Sequence, residues 1–289
     1  MRKVYLLSTE HLENGLWFRD TEDFKVAMNY IAIEAACCPR GFVLAFILMS
    51  NHVHFLLKGR KEEATAFVNR FKRRYSIYYG RKYGVKEFLR GNGLDIKEIP
   101  YGDESVERVS AYVLMNCVAA GICTHPSQYP WGTGALYFCP GHTGGLQLKD
   151  LSGRAQKRLM HSDCKGLPQH WPLHPDGYIL PSAYTDVKAM ETLFRTPQRM
   201  NYFLQSSSKA KKRLSLDENL PAFRDQTILA ALPDLCRSLF QKDAFRQLSG
   251  DEQAELARQI RFRFSADATQ IARVCGISYA DAARLLDSL

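Results

Sequence analysis

Met49-Ser50-Asn51-His52-Val53-His54-Phe55-Leu56-Leu57 is an apolar stretch carrying two histidines with one hydrophobic residue between them. It reads as a strand, and strand side chains alternate faces, so His52, His54 and Leu56 share one side while Val53, Phe55 and Leu57 share the other. Two imidazoles spaced about 7 Å at their backbones can converge on one divalent ion. An isolated His-x-His pair is more often simply what a half-exposed sheet surface offers, and its surroundings must decide between the two.

Residues 3 to 8 read as a short strand, and Thr21 to Cys38 as a helix with Phe24, Met28, Ile31 and Ala35 on one stripe, ended by Pro39-Arg40-Gly41. Phe42 to Met49 is continuously apolar, as a strand buried on both faces is, and Ser50-Asn51 connects it to the histidine strand. This β-α-β-β start predicts an α+β fold, an antiparallel sheet with helices on one face and the other face left for a site. Glu62 to Tyr83 reads as a second helix. Ala66, Phe67, Phe71, Tyr75 and Tyr78 give it an apolar and aromatic side, and Arg70, Lys72, Arg73, Arg74, Arg81 and Lys82 surround that side. Such a helix is either a solvated basic cover or a platform for phosphates with aromatics for bases to stack on. After a Gly91-Asn92-Gly93 loop and a strand at Ile96 to Ile99, a third helix is expected to start near Asp103, whose carboxylate can cap it. Its core stripe is Val106, Val109, Val113, Cys117 and Ala120, with Arg108, Tyr112 and Asn116 at i, i+4 and i+8 on an adjacent face.

With 289 residues, 46% of them hydrophobic, the chain has material for one large domain or two ordinary ones. The longest apolar run, Phe42 to Met49, falls far short of a membrane span, and the N-terminal residues lack a signal-peptide apolar region. The expectation is a soluble cytoplasmic protein with no membrane partner. Eight cysteines without a Cys-x-x-Cys pair read as reduced, mostly buried thiols. A net charge of +9 and a pI near 9.1 point to a polyanionic partner. The excess is concentrated between Lys58 and Lys86, where ten basic residues face only Glu62 and Glu63.

Taken together, the histidine strand and the Tyr112 helix give the first half a resemblance to the HUH single-strand nucleases, specifically the Y1 transposases of the REP-associated tyrosine transposase type. Trp17-Phe18-Arg19-Asp20 with Asp23-Phe24 is similar to that family's entry to its first helix, and Leu48 to Leu57 to its metal-binding strand. Tyr112 to Gly121 is similar to its nucleophile helix, and Tyr129-Pro130-Trp131 to the element that follows. The resemblance covers roughly the first 135 residues. It implies a ferredoxin-like HUH sheet and a Mg²⁺ or Mn²⁺ ion held by His52 and His54, with Asn116 as a third ligand. It also implies Tyr112 as nucleophile, single-stranded or hairpin DNA as partner, and work as a monomer or a homodimer. The chain departs from the family pattern in having Cys117 where Pro often follows the helix Asn, and Ala119 and Ala120 where a basic residue is usual. It also has Arg90-Gly91-Asn92-Gly93 in place of a Gln-x-Arg-aromatic patch.

Three regions are expected: a nuclease-like domain over 1–138, an insert or linker over 139–213, and a helical domain over 214–289. The middle stretch is rich in Gly, Pro and Ser, with a helical piece at Thr185 to Phe194 and a basic Ser206 to Arg213 run. Cys139-x2-His142 and His161-x2-Cys164 have the mirrored look of a zinc site, a spacing that chance also produces. In the last region, Ser249-x-x-Glu252 reads as a capping box. Ala268 to Leu286 reads as a helix-turn-helix or a plain helical hairpin, with Gly276 at the turn and Ser278, Tyr279 and Arg284 placed for DNA if it is the former. Two functions fit: a metal-dependent, Tyr112-dependent single-strand DNA nuclease and strand transferase, or a relative that binds structured single-stranded DNA without cutting it.

Overall fold

The computed structural model describes residues 3–12, 15–39, 41–139, 145–164, 166–207, 223–264 and 266–287. Strands β1 (Lys3–Thr9), β2 (Val43–Met49), β3 (His52–Gly59) and β4 (Leu94–Ile99) form one antiparallel sheet in the order β2-β3-β1-β4. Helices α1 (Thr21–Ala36) and α2 (Lys61–Tyr83) supply the two crossovers, which makes the arrangement ferredoxin-like. The fold is therefore α+β, and the region after it is mostly helical.

Alternation along β3 sorts its residues. Phe55 packs edge-on against Phe67 and Phe71 of α2, and a Trp17, Phe71 and Tyr75 stack continues that core. His54, one residue earlier, projects to the opposite side. Helix α3 (Ser105–Leu114) lies on that second side, against β2, β3 and β4, and continues past Met115 as the single turn α4 (Asn116–Ala119). Helix α1 starts at a capping box in which the Asp20 carboxylate accepts from the Asp23 amide at 2.9 Å. Helix α3 starts differently from expectation: its N-cap is Glu104, in the left-handed region and without a side-chain cap, so Asp103 does not cap it. Arg199 ties down the start of this helix through its side chains, reaching Glu104 at 3.1 Å and the largely buried Glu107 at 3.3 Å.

The outer edge of β2 is closed by later chain. The Tyr129 and Tyr137 hydroxyls donate to the Leu48 and Leu44 carbonyls, both at 2.7 Å. The Phe46 amide donates to Thr133 Oγ1, and the Leu48 amide to the Trp131 carbonyl. Gly132 sits where a Cβ would meet the Phe46 carbonyl oxygen at 3.0 Å, a close approach that a side chain would disturb. These contacts satisfy backbone groups that an apolar edge strand would otherwise expose.

The described residues between 145 and 207 do more than link. Helices α5 (Gly153–Met160), α6 (Val187–Phe194) and α7 (Pro197–Ser206) bury Met160, Phe194 and Phe203 in the apolar cluster that contains the sheet. Asn29, fully buried in α1, donates to the Leu159 carbonyl at 3.1 Å and accepts from the Ile179 amide at 2.9 Å, satisfying both ends of its amide. A loop-like composition conceals this because the ordering contacts are long-range.

Helices α8 (Asp225–Phe240), α9 (Gly250–Phe264), α10 (Ala268–Cys275) and α11 (Tyr279–Asp287) enclose a second apolar cluster around Ile228, Leu256, Ile260 and Ile271. The Ser249–Glu252 capping box forms as expected. Gly276 turns α10 into α11 at φ +68°, a conformation that glycine adopts without strain. Cys117, Cys236 and Cys275 are buried, but Cys37 and Cys139 are exposed, so fewer cysteines lie inside than the composition suggests. Among the described residues no helix is long and apolar enough to cross a membrane.

Because Phe71 is fully buried and touches Trp17, Phe55 and Tyr75, Phe71→Ala is expected to cost about 3–5 kcal/mol. Urea unfolding of the two proteins measures it, and an unchanged midpoint would show that this aromatic stack does not hold α2 to the sheet.

Candidate functional site

His52 and His54 lie side by side on β3, both largely buried, with ring centroids 4.8 Å apart and planes at 83°. Each has its Nδ1 held by a neighbour. His52 Nδ1 lies 2.9 Å from Asn51 Oδ1, and the Asn51 Nδ2 donates to the Leu12 carbonyl at 3.2 Å. The second contact fixes which end of the amide faces His52. An amide oxygen only accepts, so His52 must carry its proton on Nδ1, leaving the Nε2 lone pair as its donor atom. His54 Nδ1 lies 2.7 Å from Ser8 Oγ, a hydroxyl that serves either tautomer. His11 stacks flat on His52, centroids 3.7 Å apart at 11°.

Strand register builds the rest. Ser8 pairs with His54 on one side and with Asp95 on the other, so the three side chains form a row across the sheet face. Helix α3 brings Tyr112 over this row, its ring edge-on to His54 with centroids 5.7 Å apart at 74°. Burial, and then the negative charge of Asp95, push the Tyr112 hydroxyl above the usual tyrosine range, so it is protonated at neutral pH. Asn116 is buried one turn further on, and its Nδ2 donates to the Tyr112 and Val113 carbonyls at 2.9 and 3.1 Å, leaving Oδ1 as the end able to act as a ligand.

Two neighbouring imidazoles with Nδ1 engaged, His52 with Nε2 as donor and His54 able to take the same tautomer, suit a borderline divalent ion. Among the described residues no group of three or more His, Cys, Asp or Glu side chains is arranged to hold a metal ion. Of the residues with a zinc-like spacing, His142 lies outside the described residues. Cys139 is exposed, Cys164 is half-buried, and His161 ends α5 with its ring against Tyr78 and its Nε2 3.7 Å from Glu22.

The basic residues of α2 are not brought to the histidines, because α2 covers the other face of the sheet. Arg70 and Arg74 converge on Glu34 of α1, a buried carboxylate, at 2.6 and 3.0 Å. Lys82 bridges Asp20 and Asp23. Lys72 is buried, its ammonium on the Asn92 carbonyl, and burial lowers its pKa. Arg73 and Arg81 reach solvent. In the last region, Ser278 caps α11 through the Asp281 amide, Arg284 pairs with Asp281, and Tyr279 is exposed.

His11, Ser8, Asn51 and Asp95 escape a strand-by-strand scan. Only Asn51 carried a signal, being next to the first histidine.

No protein-family model matches the chain, and no curated protein sequence matches it. Among solved structures, one similar chain is a REP-associated tyrosine transposase bound to a REP hairpin. The two are 14% identical over 49% of this chain and 88% of that one, with a TM-score of 0.36.

The Asn51 contact has a direct signature. In side-chain ¹⁵N spectra of the metal-free protein, His52 should show a protonated Nδ1 and an unprotonated Nε2, and Asn51→Leu should mix the two tautomers. The reverse assignment in the wild type would show that Asn51 does not set the tautomer.

Proposed function

We propose that this protein is a single-strand DNA nuclease and strand transferase in which Tyr112 is the nucleophile. The supporting observation is the approach of Tyr112 to His54 on a face where His52 stands beside it. A phosphodiester laid over the row would meet Tyr112 Oη from above. The Tyr112 Oη–phosphorus bond forms as the bond from phosphorus to the 3′-oxygen breaks, giving a 5′-phosphotyrosine and a 3′-hydroxyl. The phenol proton leaves Tyr112, with Asp95 the carboxylate whose charge reaches it, and the departing 3′-oxygen takes up a proton. Because the ester retains the phosphodiester energy, a 3′-hydroxyl of another strand can reverse the step, so strands are joined rather than hydrolysed.

His52 and His54 would hold Mg²⁺ or Mn²⁺ through Nε2, with Asn116 Oδ1 a further donor. When bound, such an ion polarises the non-bridging phosphate oxygens and offsets the developing charge. Imidazole donors favour Mn²⁺ of the two. Asn51 and Ser8 hold the imidazoles in place, and His11 covers one face of His52.

A second function, binding of structured single-stranded DNA without cutting, is favoured by the raised pKa of Tyr112, whose hydroxyl is not activated by the groups around it. One assay separates the two. Incubation with Mn²⁺ and a labelled pool of hairpin oligonucleotides is expected to give an SDS-resistant adduct that Tyr112→Phe abolishes and His54→Ala lowers by about 100-fold or more. Tight binding across the pool with no adduct would overturn the nuclease proposal in favour of the second function.

A further inference from the structure

On the side of the sheet away from Tyr112, α2 and α5 face each other across a groove of about 760 Å³. Five Lys or Arg side chains line it with two acids, Glu22 and Asp163; of the five, Lys82 is held by Asp20 and Asp23 and Arg74 by Glu34. Arg74 is fixed there, its Nε and Nη2 on buried Glu34 and its Nη1 donating to Ser162 Oγ at 3.2 Å. Lys157 pairs with the exposed Asp163 at 2.9 Å. Arg81 and Arg158, one from each wall, make no ion pair among the described residues. Between the walls lie Tyr30, Tyr78 and the half-exposed Ile77.

The groove is already shaped. The Tyr30 hydroxyl donates to the His161 carbonyl at 3.3 Å, the His161 ring meets Tyr78 edge-on at 5.2 Å, and Asn29 anchors the end of α5 through Leu159. A ligand therefore need not order the walls, and a pinned guanidinium loses little side-chain entropy on binding. Cations on opposite walls with an apolar strip between them suit an extended polyanion with an apolar side, which describes a nucleic-acid strand better than a single anion.

We infer that this groove binds the phosphate backbone of a nucleic-acid strand, with Arg81 and Arg158 as the principal new contacts and Arg74 as a fixed one. The inference rests on the nucleic-acid function proposed above, and it places a second part of the DNA on the face opposite the nucleophile.

Fluorescence anisotropy of the full chain with a labelled hairpin oligonucleotide bearing single-stranded flanks, in EDTA and across a salt series, tests it. The R81E/R158E double variant is expected to bind at least about tenfold more weakly, with the slope of log affinity against log salt smaller by about 2. The K149E/K188E control carries the same charge change on exposed lysines elsewhere and should lose less than about threefold. The gentler R81Q/R158Q variant should fall between wild type and R81E/R158E, with an unchanged melting temperature. Wild-type affinity and salt slope in R81E/R158E would overturn the groove, as would an equal loss in the control. Wild-type protein that binds no DNA would overturn the nucleic-acid function itself. Binding and Tyr112 adduct formation that are both indifferent to R81E/R158E would overturn the groove alone.

Discussion

Strand β3 has two faces, and the molecule depends on both. Phe55 anchors the sheet to α2, while His54, its neighbour in sequence, stands on the face that α3 roofs. A one-residue slip of β3 would drive histidines into an aromatic core and put Phe55 beneath Tyr112. Register is therefore fixed by the same apolar burial that holds the sheet together, and the histidine pair inherits its placement from the core. The pairings of Ser8 with His54 and Asp95 follow from that register without further adjustment.

Much of what supports the site comes from chain that looks least structured. Residues 129–137 close the open side of β2, and Arg199 of α7 holds the start of α3 through Glu104 and Glu107. Gln226 of α8 donates to the Phe18 carbonyl at 2.8 Å and to Ser50 Oγ at 3.3 Å, reaching the turn just before the histidine strand. Elements distant in sequence thus bear on the few residues that orient His52, and their composition carries little trace of it.

Local periodicity made the sheet order's ingredients, the two crossover helices and the Tyr112 helix legible in the sequence. Apolar runs and 3.6-residue stripes are properties of a segment alone. The start of α3 was not legible, because Asp103 lies one residue before the N-cap and Arg199, almost a hundred positions later, ties Glu104 and Glu107 there. Nor was the fate of the α2 cations, since the burial of Glu34 on α1 decides where Arg70 and Arg74 go. In the candidate site, the histidines stood out by their spacing, whereas Tyr112 was singled out by the family resemblance. His11, Ser8 and Asp95 were invisible, because only pairing between strands and the backbone hydrogen bonds of Leu12 to Asn51 and of Trp17 to Ser50 bring them near.

The closure of β2 has a bearing on the order in which the chain can safely be made. Val43 to Met49 and its partner strands leave the ribosome well before Tyr129, Thr133 and Tyr137, which cover their edge. For that interval the nascent sheet presents a seven-residue apolar ribbon with open hydrogen-bonding groups, the kind of surface on which another chain can add as a strand. Until Tyr137 is in place, the protection of that ribbon has to come from outside the chain or from speed, a requirement that the finished protein no longer displays.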